Sequence, residues 1–187
     1  MYNYPLSLTA SFIAMVFVVT SYFVKKKSLY LLFQSLCIAF LIISYFFTVQ
    51  FFAMIGLGVG LVRVLVFFVY EYKDKRAPLW ISCVLACVTV VAYIIVNLVI
   101  LKKEQLLDIL CLAALVLYAF IFRIRNLKIV RFTMLIPTVL SILFNLLTHA
   151  ALFATFTYVF ELAANLGSIY KYHLRGKSKE TSGLSKN

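Results

Sequence analysis

The stretch Phe51–Lys73, FFAMIGLGVGLVRVLVFFVYEYK, decides how the chain is read. Its first part, Phe51–Tyr70, is apolar apart from Arg63. It is also as long as the ~20 residues a helix needs to cross a bilayer core of about 30 Å. Its exit, VYEYK (Val69–Lys73), has an echo one hundred residues later in IYKYH (Ile169–His173), again at the end of a long apolar run.

Working outward from this stretch gives seven apolar segments: Leu6–Val24, Ser28–Thr48, Phe51–Tyr70, Leu79–Leu101, Leu106–Phe122, Ile129–Leu147 and Ala150–Tyr170. The 187 residues are 65% hydrophobic and 13% charged, with a mean hydropathy of +1.05. Soluble domains are about 45–50% apolar and about 25% charged. The composition therefore excludes a soluble globular domain and a disordered chain, and leaves an all-α, polytopic membrane protein.

The formal charge of +12 would suggest nucleic acid as a partner in a soluble protein. Here the cations sort by side instead. Lys25–Lys27, then Lys73, Lys75 and Arg76, then Arg123, Arg125, Lys128 and Arg131, then the tail lysines and Arg175 fall on alternate connections. The opposite connections hold only Lys102 and Lys103, and Arg63 is left inside the membrane. The positive-inside rule then puts the N-terminus outside and the C-terminus in the cytoplasm, and excludes nucleic acid as a partner. The first segment lacks a basic leader and is followed by Lys25–Lys27, so it reads as an anchor.

The repeated exit motif pairs helices one to three with helices five to seven in the same orientation. An odd-numbered unit repeats in parallel only if a further helix reverses the chain, which is the role of the fourth. The expected organisation is a first three-helix repeat (1–75), a linker helix (76–104), a second repeat (105–172) and a solvated cytoplasmic tail (173–187). Parallel repeats of this kind hold substrate near the membrane midplane between the halves.

The 3+1+3 plan resembles the MtN3, SWEET and PQ-loop superfamily of small-solute transporters. More closely, the chain is similar to the YgjV-like bacterial inner-membrane proteins. The matching stretches are YFF (Tyr45–Phe47) followed by the intramembrane Arg63, then FN (Phe144–Asn145), Asn165 and IYKY (Ile169–Tyr172). The resemblance implies a multi-pass protein of the cell membrane and a fold more than an activity. The PQ dipeptide is absent, and Pro137 in helix six is the one plausible counterpart of the SWEET-type hinge prolines. SWEET-like proteins place a pocket asparagine on helices three and seven. Asn165 matches the second, while Gly60 or Arg63 stands near the first.

Ionisable groups in lipid are expensive and demand partners. Arg63 lies roughly 18 Å and Glu161 roughly 16 Å below the same membrane edge, at 1.5 Å per residue. They are expected to face the interior and to pair, directly or through water. Such a pair is either a structural bridge or a solute or proton site. Asn165 lies one turn beyond Glu161, and Asn145 lies near the outer end of helix six. Gly56-x-x-x-Gly60 reads first as a close-packing motif. Cys37, Cys83, Cys87 and Cys111 read as buried, isolated thiols, with no metal-ligand set. The candidate substrate-binding residues are thus Arg63, Glu161, Asn165, Asn145 and Gly60, with Pro137 as a hinge and no cofactor.

Two functions fit. One is a carrier or facilitator of a small polar solute, sited between helices three and seven. The other is a scaffold whose cationic cytoplasmic face binds anionic lipid headgroups or partners; homo-oligomerisation is compatible with both. Neither HExxH, GxSxG nor a phosphate-cradling loop occurs, so an enzyme is not expected.

Overall fold

The computed structural model of the chain describes residues 4–47, 51–95, 108–148 and 152–174. Among these residues there are seven α-helices and no strand. They are α1 (Tyr4–Phe23), α2 (Lys27–Phe47), α3 (Phe51–Tyr72), α4 (Leu79–Ile94), α5 (Asp108–Ile121), α6 (Leu127–Thr148) and α7 (Leu152–Ile169). A π-helical turn, Tyr170–Leu174, continues α7. Each helix falls on one of the seven apolar segments. Long apolar runs become helices because a backbone in lipid must satisfy its own N–H and C=O groups. Pro5–Phe23, Lys27–Phe47 and Leu127–Phe144 are each long and apolar enough to cross a membrane, and Leu79–Ile94 and Leu112–Ile121 are shorter apolar helices.

The burial pattern is inverted relative to a soluble protein. Phe12, Val16, Leu65, Val69, Val88 and Phe156 point outward, whereas Arg63, Gln34, Glu161, Asn165 and Arg131 are buried. An apolar exterior over an interior that also takes polar groups is what a lipid solvent selects, because apolar side chains gain nothing by leaving it. The buried side chains include Tyr22, Tyr30, Leu31, Val64, Phe67, Phe122, Val130 and Met134, contributed by α1, α2, α3, the α5–α6 connection and α6.

The well-packed neighbours are α1 with α2, α2 with α3, α5 with α6, α6 with α7, and α1 with α7. Helix α4 lies against α5 and, less extensively, α3; α3 with α7 is not among the packed pairs. Near one end of α1 and α2, the hydroxyls of Ser7 and Ser11 lie 2.8 and 2.7 Å from that of Ser44, joining the two helices.

At the other end the cationic connections meet. Lys27 Nζ bridges Glu71 at 3.0 Å, Arg123 Nε donates to the Ala77 carbonyl at 3.1 Å, and Arg125 pairs with Asp74. Asp74 ends α3 in the left-handed region at φ 51°. The Lys75 N–H bonds the Tyr70 carbonyl (2.9 Å) and the Asp74 N–H bonds that of Glu71 (3.1 Å), the Schellman arrangement in which glycine is the usual residue. Asn126 caps α6 through its Oδ1, which accepts from the Lys128 N–H at 3.0 Å.

Two local expectations are corrected. A Cβ built on Gly56 or Gly58 would meet nothing within 4 Å, and one on Gly60 would meet only the Arg63 guanidinium of the same helix. Among the described residues these glycines therefore mediate no close contact with another helix. Cys83 and Cys87 are exposed on α4 rather than buried, because α4 is the least covered helix, while Cys37 is buried. Cys111, Asn97, His149, the cations Lys102 and Lys103, and the tail from Arg175 lie outside the described residues or side chains.

Candidate functional site

Arg63 sits at mid-length in α3 and is 3% exposed. Its Nη1 donates to the Leu115 carbonyl of α5 at 2.5 Å. The guanidinium carbon stands 5.5 Å from the centre of the Tyr118 ring and 6.0 Å from that of Phe122. Cation–π contacts contribute up to about 2 kcal/mol when desolvated. Rings and a carbonyl thus replace part of the hydration this cation has lost. Its Nε is buried with no hydrogen-bond partner.

Glu161, 5% exposed at mid-length in α7, belongs to a different set. Its Oε1 accepts from the Tyr22 hydroxyl of α1 at 2.6 Å. Tyr22 sits in the last turn of α1, and helical side chains lean toward the N-terminus, which carries the phenol inward. The Tyr22 ring meets that of Tyr30 edge-on at 5.6 Å. On the same two helices, Gln34 Nε2 of α2 donates to the Ser21 hydroxyl of α1 at 3.1 Å.

The expected direct pairing of Arg63 with Glu161 is corrected: the two form no ion pair within 4.0 Å, and each is held by other groups. The physical reason lies in the packing. Helix α7 rests on α1 and α6, whereas Arg63 reaches from α3 to α5, so the shortest polar partners belong to those neighbours. Both side chains are buried near the middle of their helices, and neither is the other's ion-pair partner.

A second buried group lies toward the cationic end. Asn165, one turn from Glu161 and 1% exposed, donates through Nδ2 to the Arg131 carbonyl at 2.8 Å, while its Oδ1 is buried without a partner. Arg131, 3% exposed, sends Nη2 to the Val24 carbonyl at 2.7 Å and lies 4.8 Å from the Tyr172 ring. The Tyr172 hydroxyl in turn donates to the Phe23 carbonyl at 2.7 Å. The last carbonyls of α1, which have no partner within their own helix, are thus satisfied by α6 and by the turn after α7.

Of the expected site residues, Arg63 and Gly60 adjoin on α3, and Glu161 and Asn165 share the buried face of α7. Pro137 is buried inside α6, where it removes the donor that the Thr133 carbonyl would use. The Asn145 side chain lies outside the described part. Tyr22, Tyr118, Arg131 and Tyr172 are added by the structure. Arg131 reads in sequence as one more cytoplasmic charge, and the tyrosines read as ring filler. A usable signal was that Arg131 falls inside the apolar segment Ile129–Leu147 and not in the connection before it. Among the described residues no cluster of three or more His, Cys, Asp or Glu could hold a metal ion.

No curated protein and no solved structure matches the chain significantly. A family-wide sequence profile, Imp-YgjV, described as bacterial inner membrane protein, matches residues 6–176. That span takes in α2–α7 and all but the first two residues of α1, with Arg63 and Glu161 inside it. The chain belongs to the Imp-YgjV family of bacterial inner membrane proteins.

Proposed function

We propose that this protein is a carrier or facilitator of a small polar solute, working at the buried layer that holds Arg63 and Glu161. In this reading the N-terminus is external, α1–α3 and α5–α7 are parallel repeats, and α4 reverses the chain between them. Support comes from the cationic connections, which meet at one end. It comes also from the contacts between halves: α1 meets α7, and Arg63 carries α3 to α5. Exchanging the two repeats turns one of these contacts into the other, as facing parallel repeats would require.

The observation that carries the reading is the presence of a buried Arg63 and a buried Glu161 at mid-helix that form no ion pair with each other. A pair kept for packing alone would gain most by closing, since separated charges each keep a desolvation cost. Kept apart in one layer, they suit a solute that touches both. Proteoliposome flux tests this: Glu161→Gln and Arg63→Gln should each abolish saturable uptake in protein that still folds. Unchanged uptake in both variants would refute the site.

The scaffold reading has its own support. Lys25, Lys26, Lys73, Lys75, Arg76 and Arg123 are exposed at one end of the molecule, where anionic lipid headgroups would be attracted. This face serves a carrier equally well as a topological anchor, so it does not displace the first reading.

A further inference from the structure

We infer that Arg63 is the receptor for the carboxylate of a small solute, taken side-on by Nε and Nη2. The inference rests on the carrier reading for its location and names the class of substrate. A guanidinium has one edge, formed by Nε and Nη2, that matches the two oxygens of a carboxylate. In this protein Nη1, outside that edge, is engaged by the Leu115 carbonyl. Nε is buried and has no partner. Nη2 lies beside Gly60, 3.6 Å from where a Cβ would stand, so no side chain from that position covers it. The rings of Tyr118 and Phe122 cover the cation and leave its in-plane donors for a ligand.

The carboxylates described in the structure are engaged elsewhere. Among the described side chains, Glu71 is taken by Lys27, Asp74 by Arg125 and Glu161 by the Tyr22 hydroxyl. A buried cation without an anion pays a desolvation cost that an incoming carboxylate would offset. A neutral polyol would leave that cost in place. The solute class is therefore a small carboxylate or an amino acid, whose ammonium group could turn toward Glu161.

The test uses the purified full chain with acetate, propionate and lactate, each against its own amide, by equilibrium binding. The expected result is saturable binding with at least a tenfold preference for carboxylate over amide. Arg63→Lys, which keeps the charge but loses the paired donors, should weaken it at least tenfold. Gly60→Ala adds a methyl group at ordinary contact distance, so the fold tolerates it, and should lower carboxylate affinity several-fold with an unchanged unfolding temperature. No selectivity for any carboxylate, or selectivity unaffected by both variants, overturns the inference. Flux separates the two claims. Uptake of neutral solutes with no carboxylate selectivity sinks this inference and keeps the carrier. Arg63-dependent carboxylate binding without flux in either direction keeps the inference and sinks the carrier.

Discussion

Removing one oxygen from Tyr22 tests the buried layer most sharply. In Tyr22→Phe the ring stays and keeps its edge-on contact with Tyr30, while the 2.6 Å bond to Glu161 disappears. Both groups are buried in this conformation, so the lost donor is not replaced by bulk water while the layer is closed. Leaving a buried acceptor unsatisfied costs about 1–3 kcal/mol. For a chain of this size each kcal/mol moves the melting temperature by roughly 2–4 °C, so the expected drop is roughly 2–12 °C. Thermal unfolding of the purified chain, followed by circular dichroism, measures it. The double-mutant cycle with Glu161→Leu isolates the contact, because Tyr22→Phe should cost little once its acceptor is gone. An equal drop in both backgrounds would refute the assignment of Tyr22 as the partner of Glu161.

Other consequences follow from individual contacts. Exchanging the charges as Arg63→Glu with Glu161→Arg should fail to restore either stability or uptake, since the two side chains have different partners; full rescue in flux and melting assays would mean they act as a pair. Tyr172→Leu should lower stability by about 1–2 kcal/mol, through a lost hydroxyl bond and a lost ring over Arg131. It should also speed hydrogen exchange at the α1–α2 connection, with unchanged exchange there as the contrary result. At the end of α3, Asp74→Ala should cost about 1–2 kcal/mol for an unsupported left-handed residue. Asp74→Gly should be close to neutral, because an exposed ion pair contributes little; equal melting temperatures for the two variants would contradict the cap. Pro137→Ala should raise the melting temperature, since an interior proline is disfavoured by about 3 kcal/mol relative to alanine. If Pro137 is a hinge, the same variant should slow uptake, and faster or equal flux would remove that role.

Much of the fold was legible because long apolar runs in lipid must satisfy their own backbone groups as helices. All seven helices lie where the apolar runs are, and α6 begins at Leu127, within two residues of the expected edge. Arg63, Glu161 and Asn165 were legible as buried because a polar group in lipid has few places to go. Their partners were not legible. The Leu115 carbonyl is a backbone atom that leaves no mark on composition, and Tyr22 looks like any aromatic residue near a helix end. Which helix lies beside which is a property of packing, so a shared depth for Arg63 and Glu161 did not imply contact. Lys27 and Arg131 illustrate the converse. Both count toward the cationic face by position, yet they are spent inside the protein on Glu71 and on the end of α1.

The central claim is that the layer around Arg63 admits a water-soluble molecule, although it lies at mid-helix. Gly60→Cys places a thiol beside the Arg63 guanidinium, and Val64→Cys places one a turn away at a fully buried position. With the four native cysteines replaced, a charged, water-soluble thiol reagent should modify Gly60→Cys and spare Val64→Cys. Two inert thiols would contradict the claim, because a layer closed to water in every state cannot pass a solute.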